Sequence, residues 1–124
     1  MADLNYLLLA VKDPRRSAEI YDQLFGVKPV ENAPTFVLYV LPTGLKVGLW
    51  AAGEMQPVPR PPGGVELSFS LPDESAMRAT YAAWTKLGLQ IVQEPTRMDF
   101  GFTFVVADPD GHRLRPFVPA AHPR

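Results

Sequence analysis

The stretch Val65–Asp73, VELSFSLPD, decides the fold. Apolar Leu67, Phe69 and Leu71 alternate with Glu66, Ser68 and Ser70, the period-2 pattern of a strand with one face on a core and the other turned away. Leu71-Pro72-Asp73 then leads into a helix-like segment with Asp73 or Ser75 as its cap. The same order of events occurs near the start, where Leu4–Val11, LNYLLLAV, is an apolar strand followed by Lys12-Asp13. Two more correspondences follow in register. Phe25-Gly26-Val27 resembles Leu87-Gly88-Leu89, and Pro42-Thr43-Gly44 resembles Pro109-Asp110-Gly111. Matching motifs in matching order mean a repeated unit.

Each copy extends the same way. In the first, Asp13 or Ser17 starts a helix with Ala18, Ile20, Tyr21 and Leu24 on its apolar side, and Gly26 stops it. Strands are expected near 28–31, 35–41 and 45–51, with Pro42-Thr43-Gly44 as a hairpin turn. In the second, Asp73 or Ser75 caps a helix through Leu87 that Gly88 ends, and strands are expected near 89–93, 102–107 and 113–118. Both copies therefore read βαβββ. The expected class is α+β: paired modules forming a curved mixed sheet around a cavity, helices outside, because an open sheet face must be closed by another half. A single domain over 1–124 is expected, with a first module at 1–52, a linker at 53–64, a second module at 65–119 and a tail at 120–124. The linker, GEMQPVPRPPGG, holds much of the chain's 14 prolines, so their number signals a stiff connection.

A chain of 124 residues with 47% hydrophobic composition can bury one real core. Twelve basic and 13 acidic residues leave a net charge of -1 and no basic run, which argues against a nucleic-acid partner. No apolar segment reaches the roughly 18 residues that span a bilayer, so no membrane partner is expected. Met1–Tyr6 lacks the basic and apolar regions of a signal peptide, and the expected compartment is the cytoplasm. With no cysteine, disulfides, thiolate metal ligands and cysteine nucleophiles drop out.

Strand parity and the repeat then nominate a site. Glu66 corresponds to Tyr6 and Arg115 to Gly48; Trp50 shares a face with Gly48, and Phe117 with Arg115. The inferred floor is mostly aromatic, with one acid and one base. A glycine beside an inward tryptophan leaves space over one ring face for a planar ligand. Phe36, Tyr39, Phe102 and Phe104 are further candidates, and parity admits Leu38 or Tyr39 to the cavity but not both. Glu66 and Arg115 have two readings. They are an ion pair that keeps two charges inside, or Arg115 forks onto a ligand carboxylate while Glu66 accepts a donor. Tyr6 adds a hydroxyl hydrogen bond or packs. His112 falls on the face opposite Arg115 and reads as structural or solvent-facing, and His122 lies in the Pro-rich tail. Ser68 and Ser70 share a face with no histidine, so nucleophilic catalysis lacks its base.

The opening strand, Val11-Lys12-Asp13, the helix carrying Ser17 and Tyr21, Leu24-Phe25-Gly26, their repetition and the closing DPDG turn at Asp108–Gly111 together resemble the vicinal oxygen chelate superfamily, the glyoxalase, extradiol dioxygenase and bleomycin-resistance group. Metal-dependent members hold a divalent ion with two residues from each half. The resemblance puts Tyr6, Gly48, Glu66 and Arg115 in those slots. Only Glu66 is an ordinary ligand, and arginine is a permanent cation with no lone pair, so neither metal nor other cofactor is expected. Gly48-Leu49-Trp50, the linker, Ala83-Trp84-Thr85-Lys86 and Phe102-Thr103-Phe104 leading into DPDGH look like the phenazine-antibiotic resistance proteins of that superfamily. That likeness implies a metal-free homodimer in which halves of two chains build each cavity and a tryptophan at the place of Trp50 contacts a flat drug.

The resulting expectation is a binding protein more than an enzyme: metal-independent sequestration of a small, planar, partly anionic aromatic compound, an antibiotic such as a phenazine. Trp50, Tyr6, Phe36 and Gly48 are its expected contacts in the first module, and Glu66, Arg115, Phe102 and Phe104 in the second. The alternative is a glyoxalase-like lyase or isomerase, or a dioxygenase-family enzyme, either metal-dependent or with Glu66 as general base.

Overall fold

The computed structural model describes residues 2–120, so 121–124, with His122, lie outside the described residues. The elements run β1 (Tyr6–Val11), α1 (Pro14–Phe25), β2 (Glu31–Ala33), β3 (Phe36–Val40) and β4 (Lys46–Ala51), then β5 (Glu66–Ser70), α2 (Glu74–Thr85), β6 (Gln90–Met98), β7 (Gly101–Ala107) and β8 (Arg113–Pro119). The class is α+β, and each half is βαβββ. The chain divides into two compact units between Arg60 and Pro61. Within each unit the first strand pairs parallel with the last, giving the mixed sheets β1-β4-β3-β2 and β5-β8-β7-β6. No helix among the described residues is long and apolar enough to cross a membrane.

Local chemistry sets the helix limits. Asp13 is the N-cap of α1, its carboxylate accepting from the Arg16 N–H, and Pro14 occupies the first turn, where a missing N–H costs nothing. Gly26, at φ 69°, ends the helix in the left-handed conformation that glycine adopts without a Cβ penalty. Asp73 caps α2 in the same way, through the Ala76 N–H at 2.8 Å. The helix proper stops at Thr85, and one further turn leads to Gly88.

Two strands differ from expectation. The edge strand β2 lies at 31–33, not 28–31, because it pairs with β3 across the Pro34-Thr35 turn. An edge strand of the second sheet, β6, runs on to Met98. It absorbs Pro95 between two shifts of register, and edge strands and bulges are where a residue without an N–H is tolerated.

Each helix covers one face of its sheet. In the first unit Leu9, Val11, Val37, Val47 and Leu49 are all at most 8% exposed and face the buried side of α1, made by Ser17, Ala18, Tyr21 and Leu24. Each such side chain contributes roughly 1.5–3 kcal/mol by leaving water. Tyr39 belongs to this layer, which decides between it and Leu38. Its ring meets Phe25 edge-on at 5.1 Å, and its hydroxyl donates to Asp22 Oδ1 at 2.6 Å. Burial first, and then the Asp22 carboxylate, push the phenol well above its ordinary pKa. In the second unit Met77 and Trp84 are the buried side chains of α2, and Trp84 meets Phe69 of β5 edge-on at 5.1 Å and Phe104 of β7 at 5.9 Å.

Tyr39→Phe removes a part-buried hydrogen bond to a carboxylate whose ionic partner, Lys28, is exposed. The expected loss is about 1–2 kcal/mol, read as a lower urea midpoint at unchanged slope. An unchanged midpoint would mean that the Asp22 bond adds nothing to the fold.

Candidate functional site

Register builds the face of the first sheet turned away from α1. Leu8 stands opposite Gly48, Gly48 opposite Leu38 and Leu38 opposite Glu31, a row crossing every strand. The next row is Ala10, Trp50, Phe36 and Ala33; the one on the other side is Tyr6, Lys46 and Val40. Directly opposed residues share a face, so these rows form one surface, and it is chiefly apolar.

Among the described residues Tyr6, Leu8, Glu31, Phe36 and Trp50 line a hollow of about 600 Å³ in this surface. Small-molecule sites commonly measure about 300–1,000 Å³. Phe36 and Trp50 meet edge to face, with centroids 6.4 Å apart and planes at 86°. Trp50 is half-buried, while Tyr6 and Leu8 are 38% and 46% exposed. Water thus touches apolar surface that a ligand would cover at a gain of roughly 25 cal/mol per Å².

Gly48 acts differently from expectation. A Cβ there would stand 2.7 Å from Phe36 Cζ and 2.9 Å from Leu8 Cδ2. The space above the glycine is therefore filled by the Phe36 ring and a Leu8 methyl, which settle onto bare backbone. Gly48 sets the depth of the hollow by letting its walls sit low.

The second sheet repeats the register with opposite chemistry. Ser68 stands opposite Arg115 as Leu8 does opposite Gly48, and Glu66 opposite Arg113 as Tyr6 does opposite Lys46. Arg115 grips Glu66 in a fork, Nε to Oε1 at 2.6 Å and Nη2 to Oε2 at 3.2 Å. Its Nη1 donates to Gln93 Oε1 at 3.1 Å and Thr103 Oγ1 at 3.4 Å, and its guanidinium lies 5.8 Å from the Phe100 ring centre. Arg113 Nη2 closes on Glu66 Oε2 at 2.9 Å. The hydrogen bonds from Arg115 lower the Glu66 pKa most; burial opposes them, and the charges of Arg115 and Arg113 add to the lowering. A carboxylate so held is a weak general base, and neither it nor Arg115 can grip a ligand without giving up its partner.

The family slots for a metal do not fit one. Gly48 brings no side chain, Tyr6 stands in the apolar hollow, Glu66 spends its oxygens on arginines, and Arg115 is a cation. Among the described residues no three of His, Cys, Asp and Glu gather.

Phe102 and Phe104 stand elsewhere than the expected cavity. The Thr103 hydroxyl lies on the Arg115 side of β7, so its two neighbours point the other way, toward α2. Phe104 is fully buried against Tyr81 and Trp84. Phe102 sits between the guanidiniums of Arg78 and Arg97, at 5.2 and 4.7 Å. The structure thus brings Tyr6, Phe36, Gly48 and Trp50 together in one unit and Glu66 with Arg115 in the other. Leu8 and Glu31 of the lining were not foreseen. Leu8 follows from its shared parity with Tyr6, and Glu31 from the hairpin register about Pro34-Thr35.

Residues 3–115 match the family model of the glyoxalase/bleomycin resistance protein/dioxygenase superfamily. The phenazine antibiotic resistance protein EhpR of Enterobacter agglomerans is 31% identical over 114 residues, covering 90% of this chain and 88% of that one. Protein ATC0852 of Agrobacterium tumefaciens, solved by solution NMR, superposes with a TM-score of 0.90 at 40% identity, over 98% of this chain and 100% of that one. A glyoxalase-related enzyme from Fulvimarina pelagi shares the fold, with a TM-score of 0.84 at 23% identity, over 95% and 88% of the two chains. From this match along nearly its whole length, the chain belongs to the glyoxalase/bleomycin resistance protein/dioxygenase superfamily.

Proposed function

We propose that the protein binds and sequesters a small planar aromatic compound, an antibiotic of the phenazine kind, without a metal and without turning it over. The observation that carries this reading is the aromatic hollow of the first sheet, where Trp50, Phe36 and Tyr6 surround about 600 Å³. Flat ring systems gain about 0.5–1.5 kcal/mol per aromatic contact beyond the area they bury. Similarity to a protein named for phenazine resistance supports the choice of ligand. Sequestration asks nothing more of the site, because a protein that only holds a drug lowers its free concentration in proportion to the sites present. In this reading the ion pair of the second sheet is a strut: it fixes β5, β6, β7 and β8 to one another through Glu66, Gln93, Thr103 and Arg115.

Two experiments test these assignments. Phenazine should quench tryptophan fluorescence saturably at micromolar concentrations, and the quenching should arise from Trp50, since Trp84 is 7% exposed on the side of α2 that packs on Phe69. Trp50→Ala should weaken binding about tenfold by calorimetry; an unchanged affinity would remove the hollow from the account. Glu66→Gln should cost about 1–2 kcal/mol of stability at neutral pH, a value between exposed and buried pairs, with phenazine affinity retained. Because folding lowers the Glu66 pKa, the wild-type advantage should be full above the ordinary glutamate range and fade as pH falls through the lower folded value. A stability difference independent of pH would contradict the strut.

A further inference from the structure

The charge on the lining narrows the ligand class, an inference that rests on the binding role proposed for the hollow. Among the described residues that line it, Glu31 alone carries a formal charge, and that charge is negative. Its carboxylate is exposed and has no ion-pair partner among the described residues. Arg15, the basic side chain that reaches β2, is engaged with Asn32 through Nε to Oδ1 at 3.2 Å and Nη2 to the carbonyl at 3.1 Å. Asn32 alternates with Glu31 along β2, so that contact belongs to the other face. Lys46 shares the face but does not line the hollow.

The rings add to the same sign. The faces of Trp50, Phe36 and Tyr6 are the negative parts of their quadrupoles and attract a cation over them. An anionic ligand would find only the Tyr6 hydroxyl and the Trp50 indole N–H as donors on that lining, with a carboxylate beside them. The arginine expected to attract an anion, Arg115, is spent on Glu66, as is its neighbour Arg113. Dimensions agree as well. In the order β1-β4-β3-β2, Glu31 stands two strands out from Gly48, ~10 Å away at the usual strand spacing. A fused-ring body lying over β4 and β3 would bring a substituent at its end to the carboxylate.

We infer that the hollow selects planar aromatic compounds that carry a positive charge or an amine donor at one end, with Glu31 as the residue that sets this preference. Aromatic acids are disfavoured at the same site.

The test uses the intact protein and a matched set of probes: phenosafranine, a cationic phenazinium dye, neutral phenazine, and phenazine-1-carboxylate. Fluorescence quenching and calorimetry should rank them cation, neutral, anion. Glu31→Gln should lower the affinity for the cation roughly fivefold relative to neutral phenazine, the scale of one exposed ion pair. Glu31→Lys should reverse the ranking of cation and anion. Raised salt should shrink the wild-type preference, as screening requires. Tighter binding of the carboxylate by the wild type, or a cation-to-neutral ratio untouched in Glu31→Gln, would overturn the inference while leaving the hollow as a binding site. Failure of all the probes to bind would overturn both.

Discussion

The parallel pairing of β1 with β4 is the constraint on which the rest of the molecule depends. It sets Leu8 against Gly48 and so decides, for every strand of the first sheet, which side chains pack under α1 and which face the hollow. A slip of one residue would exchange the two sets. Leu9, Val47 and Leu49 would lose their cover, and Tyr6 and Trp50 would be forced against the helix. The register is strongly specified because the buried set is apolar but for the Tyr39 hydroxyl, while the set on the other face contains Lys46 and Glu31. The same pairing recurs between β5 and β8, and there it sets Ser68 against Arg115.

One geometry thus carries two chemistries. At corresponding positions the first sheet has Tyr6 and Gly48, and the second has Glu66 and Arg115. The first pair leaves apolar surface in contact with water. The second is closed on itself, since each charge is met by the other and by Gln93, Thr103 and Arg113. A part-buried pair of this kind is moderately destabilising to break, and its net worth over an apolar pair is small. In the proposed reading the two faces divide the work of a site and of a strut, and the strut removes from use the arginine that would otherwise attract an acid.

Much of this was legible in the chain, and the exceptions have physical causes. The repeat and both helices follow from pattern alone, as does the shared face of Tyr6, Gly48 and Trp50; pattern narrows the caps to Asp13 or Ser17 and Asp73 or Ser75, and the structure takes the aspartates. Phe102 and Phe104 were misplaced because β7 is buried at every position, so GFTFVVA shows no alternation from which a face could be read. Pro95 hid the second half of β6, since a proline reads as an end until an edge and a bulge accommodate it. Tyr39 and Leu38 could not be separated by parity. The hydrogen bond to Asp22, a contact between α1 and β3, separates them. Glu31 escaped notice because its strand is three residues long and has no period of its own.

Ligand function rests on the claim that the open face of the first sheet, and not the charged face of the second, receives a flat aromatic molecule. Amide NMR spectra recorded during titration with neutral phenazine test this residue by residue. The expected result is a set of saturating shifts at Leu8, Glu31, Phe36, Gly48 and Trp50, with Glu66, Gln93 and Thr103 unmoved. Shifts concentrated at Glu66, Thr103 and Arg115, with Trp50 and its neighbours silent, would contradict it.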